Sequence, residues 1–143
     1  MTQKEKQLLL KDLLPRQLYG VKVHYRYHDF VGGSERLIHE GDGVIKSINL
    51  TLGNPILIDG FHIEVENVKP YLRPMSSMTE EEKKEHDFYC GYKPYDDNIG
   101  ESYLTEYDMP DYIDFLYEHY LDFRGLIPIG LALEATEGMY KNE

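Results

Sequence analysis

The chain of 143 residues contains one cysteine, Cys90, and no tryptophan. A single thiol excludes an internal disulfide and any metal site that needs two thiolates from one chain, and a reducing cytoplasm is the expected setting. No apolar run approaches the roughly 20 residues that cross a bilayer, so no membrane span is expected. Leu8, Leu9 and Leu10 stand together near the start, but Lys11 and Asp12 break what would otherwise be the apolar part of an export signal. Cations are scarce and unevenly placed. Residues 1–74 hold ten Lys/Arg against nine Asp/Glu, a net +1, whereas residues 75–143 hold five against seventeen, a net −12. At an overall −11 the molecule as a whole repels phosphate backbones, whose sequence-independent binding rests on Lys and Arg. The break at Pro74 divides the chain into a segment of residues 1–74 and an acidic segment of residues 75–143.

Thr2 and Glu5 have the spacing of a capping box and predict a helix that ends near Leu13, because Pro15 disfavours helical geometry at Leu14. From Leu18 the period changes to two. Val21, Val23, Tyr25 and Tyr27 fall on one side of a strand, and Lys22, His24, Arg26 and His28 on the other. Gly32-Gly33-Ser34 supplies a turn into a second strand over residues 36–40, which Gly41-Asp42-Gly43 breaks before residues 44–50 resume it. Gly53-Asn54-Pro55 reverses the chain, Asp59-Gly60 joins Ile56-Leu57-Ile58 to Phe61 and Ile63 as a hairpin, and Val68 to Leu72 closes the series as an edge strand containing Pro70. Five short strands joined by tight turns suit a small curled barrel. The expected fold is therefore α+β: an N-terminal helix, then a five-stranded barrel resembling the Src-homology-three or Tudor type across residues 18–73. An oligonucleotide-binding barrel would want a helix between its third and fourth strands, and the sequence has no room for one.

Beyond Pro74, Thr79 and Glu82 form a second capping box and predict a helix to about Phe88. Residues 89–107 read as irregular, with Tyr89, Tyr92, Tyr95 and Tyr103 placed to face a partner. Pro110 opens a further helix with Ile113, Leu116, Tyr117, Tyr120 and Leu121 on one side and Asp111, Asp114, Glu118 and Asp122 on the other. Gly125 is its expected stop, and residues 134–143 read as a polar tail. Residues 75–143 thus form an acidic helical extension whose apolar stripes cover the barrel.

Two stretches, Val68-Lys69-Pro70-Tyr71-Leu72-Arg73-Pro74-Met75-Ser76-Ser77-Met78-Thr79-Glu80-Glu81-Glu82 and Asp122-Phe123-Arg124-Gly125-Leu126-Ile127 with Gly130-Leu131-Ala132-Leu133-Glu134-Ala135, resemble segments of short uncharacterised proteins encoded by phages and prophages of gut-dwelling anaerobic bacteria. They cover about a fifth of the chain. The resemblance implies a mobile-element origin and a cytoplasmic setting, and it supplies no catalytic residue.

The row Lys22, His24, Arg26 and His28 is the one concentrated positive surface and the candidate binding site. It can track a nucleic-acid backbone or form a solvated face paired with acids of the C-terminal half. Metal binding is not expected. His24 and His28 lie about 13 Å apart on a strand, and His86 with Cys90 lacks two further ligands. No cofactor is expected, and no elbow serine, phosphate loop or EF-hand order is present, so hydrolytic chemistry has no support. The leading expectation is a non-enzymatic module that binds a protein partner. Nucleic-acid binding through the basic strand is the second, and mimicry of nucleic acid by the acidic half, blocking a host enzyme, is the third.

Overall fold

The computed structural model describes residues 1–90 and 108–140. Thr2 Oγ1 accepts from the Glu5 amide at 3.1 Å and Glu5 Oε1 from the Thr2 amide at 3.0 Å, so the first capping box opens helix α1, Gln3–Arg16. The helix carries Pro15 inside it and ends three residues beyond the expected Leu13. The extra turn is held by Arg16, whose side chain reaches back one turn to Asp12. Gly20, at φ 69°, then releases the chain into the first strand.

Strands β1, Lys22–Val31, and β2, Ser34–Val44, form a long hairpin. Gly32 and Gly33, at φ 61° and 84°, supply the two positive-φ positions of its tight turn. The ladder runs from Val31↔Ser34 to Lys22↔Val44 with one bulge, where Tyr27 pairs with His39 and His28 with Leu37, leaving Ile38 over. Gly41-Asp42-Gly43 does not interrupt β2. A Cβ on Gly43 would lie 3.0 Å from Ile58 Cγ2 and 3.1 Å from Asp59 Oδ2, so glycine permits a crossing of two strands there rather than a turn. Gly43→Ala is expected to cost about 1–3 kcal/mol by overpacking, read from urea unfolding. Gly41→Ala, whose Cβ would meet only His39 Nε2 at 3.5 Å, is the control and should shift the midpoint far less.

Past Val44 the chain continues through Ile45 and Lys46 into β3, Ser47–Ile48, which pairs with β4, Ile56–Ile58, and β4 pairs with β5, Phe61–Ile63. A 3-10 turn over Val65–Asn67 leads to β6, Val68–Leu72, which returns to pair with Val23, His24 and Tyr25 of β1. With β7, Leu133–Glu134, the strands lie in two open sheets, ordered β2-β1-β6-β7 and β3-β4-β5, and the expected closed barrel of five strands is not formed among the described residues. Rings, not backbone hydrogen bonds, fill the seam: Phe61 of β5 lies 4.7 Å from Tyr27 and 5.2 Å from His39. The chain is α+β, with the N-terminal helix as expected.

The C-terminal segment is not wholly helical. The second capping box opens α2, Glu80–Tyr89, and α3 spans Asp108–Glu118. α3 stops before Gly125, because Tyr120 takes φ 57°, with its ring stacked 3.7 Å from Tyr140 and its hydroxyl donating to Tyr19 O at 2.7 Å. Glu134, the first residue of the expected polar tail, instead joins Leu133 in β7, which runs in parallel beside β6. Tyr140, beyond β7, donates to Tyr71 O at 2.7 Å. One core joins Leu9 and Leu13 of α1, Val23 and Tyr25 of β1, Ile56, Ile58 and Leu72 with Leu126, Leu131 and Ala132. Phe115, Leu116 and Leu121 centre a second, smaller cluster. The tyrosine-rich stretch from residue 91 to 107 lies outside the described residues, and no described helix is long and apolar enough to cross a membrane.

Candidate functional site

The four residues of the basic row part company in the structure. Lys22 Nζ donates to Met139 O at 3.0 Å and lies 5.9 Å from the Tyr140 ring centre. His24 is held between two carboxylates of β2, with Nδ1 2.9 Å from Asp42 Oδ1 and Nε2 2.8 Å from Glu40 Oε1. Burial alone would lower the His24 pKa, but the hydrogen bonds to Glu40 and Asp42 outweigh it and the net direction is up. Both acids move down in return, through the same bonds. Arg26 Nε lies 3.6 Å from Glu40 Oε1. His28 shares a small hollow with Asn54, His62 and Asn67, and its buried Nδ1 has no hydrogen-bond partner among the described residues. Acids of the neighbouring strand, not of the acidic half, neutralise the centre of the row.

A cleft of ≈ 610 Å³ lies where the two stretches 68–82 and 122–135 meet. Glu82 is its hub. Its carboxylate accepts both guanidinium nitrogens of Arg73 at 2.8 Å, the Thr79 amide at 2.8 Å, and lies 2.7 Å from His119 Nδ1. The Arg73 bonds hold the Glu82 carboxyl down at about 2, with the Thr79 amide and His119 helping against the opposing effect of burial. Arg73 also donates to Ser77 O at 3.1 Å and His119 O at 3.3 Å. The capping box revealed Glu82 in the sequence, but only as a helix start. Its pairing with Arg73 and His119 joins the β6 end, α2 and the end of α3, and no local pattern announces it.

The second stretch has its own structural task. Asp122 accepts the amides of Leu126 at 2.8 Å and Ile127 at 2.9 Å, which pins the turn after α3 and takes this carboxylate off the acidic helix face. Arg124 Nε lies 3.3 Å from Asp12 Oδ1, and the Phe123 ring lies 5.4 Å from the fully buried Arg16 guanidinium. His86 and Cys90 do share a helix face, 3.6 Å apart at Nε2, and Tyr112 OH is 3.1 Å from the same nitrogen. Among the described residues no group of three or more His, Cys, Asp or Glu side chains is arranged to hold a metal ion. Comparison with protein-family models, with curated proteins and with solved structures finds no match to this chain.

Proposed function

We propose that the chain is a non-enzymatic protein-interaction module of the cytoplasm, of phage or prophage origin as the resemblance of its two stretches implies. The observation that carries this reading is the arm formed by β1 and β2. β6 reaches β1 only at Val23–Tyr25, and every residue from Asp29 to Glu40 is exposed. Phe30, 72% exposed, stands on this ribbon with Val31, Leu37 and Ile38, all exposed. A two-stranded ribbon is marginal by itself in water, and large apolar residues gathered on one mark a contact surface. A protein is favoured over nucleic acid because Glu40 and Asp42 already neutralise His24 and crowd Arg26. The path of pairing, β6 to β1 to β2 and then β3 to β4 to β5, supports reading residues 18–73 as a Src-homology-three-like barrel opened along the Phe61 seam.

A photo-crosslinking residue placed at Phe30 in cells of a host anaerobe is expected to yield one discrete protein adduct, suppressed by Ile38→Lys. The same residue at exposed Lys84 of α2 should yield none. Absence of an adduct at Phe30, or an adduct with nucleic acid only, would count against the proposal.

A further inference from the structure

Strand β1 outruns its neighbour. β6 pairs with it only at Val23↔Pro70, His24↔Lys69 and Tyr25↔Val68, since the 3-10 turn Val65–Asn67 takes the chain away, yet β1 continues to Val31. Two positions fix which backbone groups this leaves bare. Pro70 has no N–H, so Val23↔Pro70 cannot exchange both bonds of a bonded pair, and His24↔Lys69 is the pair that does. At the other end, the two-residue turn Gly32-Gly33 closes on Val31↔Ser34 as a bonded pair with β2. Odd-numbered residues of β1 therefore bond to β2, and the N–H and C=O of Arg26, His28 and Phe30 face the bare edge. The Phe30 amide agrees: it donates to Asp29 Oδ1 at 2.8 Å, a side chain standing where a strand carbonyl would be. No backbone bond from outside the hairpin reaches these three among the described residues.

A row of unpaired donors and acceptors at strand spacing is met by one kind of group, another extended backbone. We infer, resting on the reading of the arm as a contact surface, that a partner protein adds an extended segment as a strand along residues 26–31 of β1, with an apolar residue beside Phe30. The outer edge of β2 is a poorer template, because the extra Ile38 breaks its spacing. A second copy of the chain does not fit. Paired antiparallel about His28, it would set its Val31 opposite Tyr25, where Val68 already pairs. About Asp29, two like carboxylates would meet, and about Phe30 the turn at Gly32 leaves only residues 29–31 to pair. Asn54, His62 and Asn67 line a hollow with Arg26 and His28 at the inner end of the edge, which bounds the added strand there. Phe30, 72% exposed, gives it an apolar neighbour at the outer end.

The probe is a designed peptide of about eight residues, alternating Val and Thr with one terminal Trp. The full-length chain has no Trp, so Trp anisotropy reports the peptide alone. Binding to the native chain is expected, and N-methylation of the central peptide amides should weaken it by about tenfold or more, since each methyl removes a donor and blocks the edge. His28→Pro should do the same from the other side. The ladder to β2 does not use the His28 amide and an edge tolerates proline, so the urea midpoint of this variant should stay near that of His28→Ala. His28→Ala keeps the amide and should bind as the native chain does, while Asp29→Ala frees the Phe30 amide and should bind more tightly. If His28→Pro fails to fold, the methylated peptide decides on the native chain alone. No binding, equal binding of the methylated peptide, or equal binding by folded His28→Pro and His28→Ala would each overturn the inference. A discrete protein adduct at Phe30 would then still uphold the arm as a contact surface, whereas loss of that adduct would sink the reading of the arm whatever the peptide does.

Discussion

Asp12→Ala is expected to destabilise the protein by about 3–5 kcal/mol, the range for removing one partner of a buried ion pair. Asp12 and Arg16 are both fully buried, with Arg16 Nε donating to Asp12 Oδ2 at 2.7 Å. Arg16 Nη2 also donates to Leu121 O at 2.6 Å, and its guanidinium lies 5.1 Å from the Tyr117 ring and 5.4 Å from that of Phe123. Arg124 approaches the other oxygen of Asp12. Without Asp12, two cations are left facing each other, one with no access to water. Asp12→Leu/Arg16→Met removes the pair together, and a shape-filling apolar replacement should recover most of the loss, to within about 1–2 kcal/mol of the native chain. Arg124 can remain in that variant, since it donates to the Tyr117 hydroxyl at 3.2 Å and keeps some exposure. Urea midpoints of the single and double variants decide the matter. A cost below about 1 kcal/mol for Asp12→Ala would show that solvent reaches this pair.

The same pair shows what the sequence conceals. Arg16 lies three residues beyond the expected helix end at Leu13, so the four-residue spacing from Asp12 that α1 turns into an ion pair had no predicted helix to carry it. Their burial depends on Tyr117, Leu121 and Phe123, more than a hundred residues further along the chain. Both capping boxes and β1 were legible because their signals are local: a hydroxyl and a carboxylate three apart, and an alternation of period two. β7 was not, since two residues show no period. Strand count pointed to a closed barrel, but closure turns on whether a three-residue β5 bonds to β1 or packs Phe61 against it. The charge change at Pro74 describes the surface, while packing runs across it through Leu126, Leu131 and Ala132. The fate of the basic row hinged on one residue. An unbulged hairpin closed at Val31↔Ser34 would set Gly41 opposite His24 and His39 opposite Arg26. The extra Ile38 slides β2 by one, so that Asp42 and Glu40 face them instead.

Glu82→Gln should cost about 3 kcal/mol at neutral pH, the loss that follows from a carboxyl held at about 2 against an ordinary 4.5. Glutamine can still cap, because its amide oxygen can accept from Thr79 N as Glu82 Oε1 does. The substitution therefore separates the helix cap from the charge. What it removes is the ionised half of a two-pronged pair with Arg73 and the contact with His119 Nδ1, at a side chain only 10% exposed. Since folding lowers this pKa, the ionised form contributes its full stability above about 4.5 and loses it progressively as the pH falls toward 2. The stability difference between the native chain and Glu82→Gln is accordingly expected to be constant from pH 7 to 5, to shrink from pH 5 downward, and to be nearly gone at pH 2. Chemical unfolding at a series of pH values measures it. A difference that stays constant down to pH 2 would mean that Glu82 acts through shape and capping alone, and that the Arg73 clamp joining β6, α2 and α3 draws little on its charge. Thr79→Ala then provides the complementary measurement: it removes the hydroxyl that accepts from the Glu82 amide at 3.2 Å and leaves the pair with Arg73 in place, so its smaller cost, about 1 kcal/mol, should not vary with pH in the acid range.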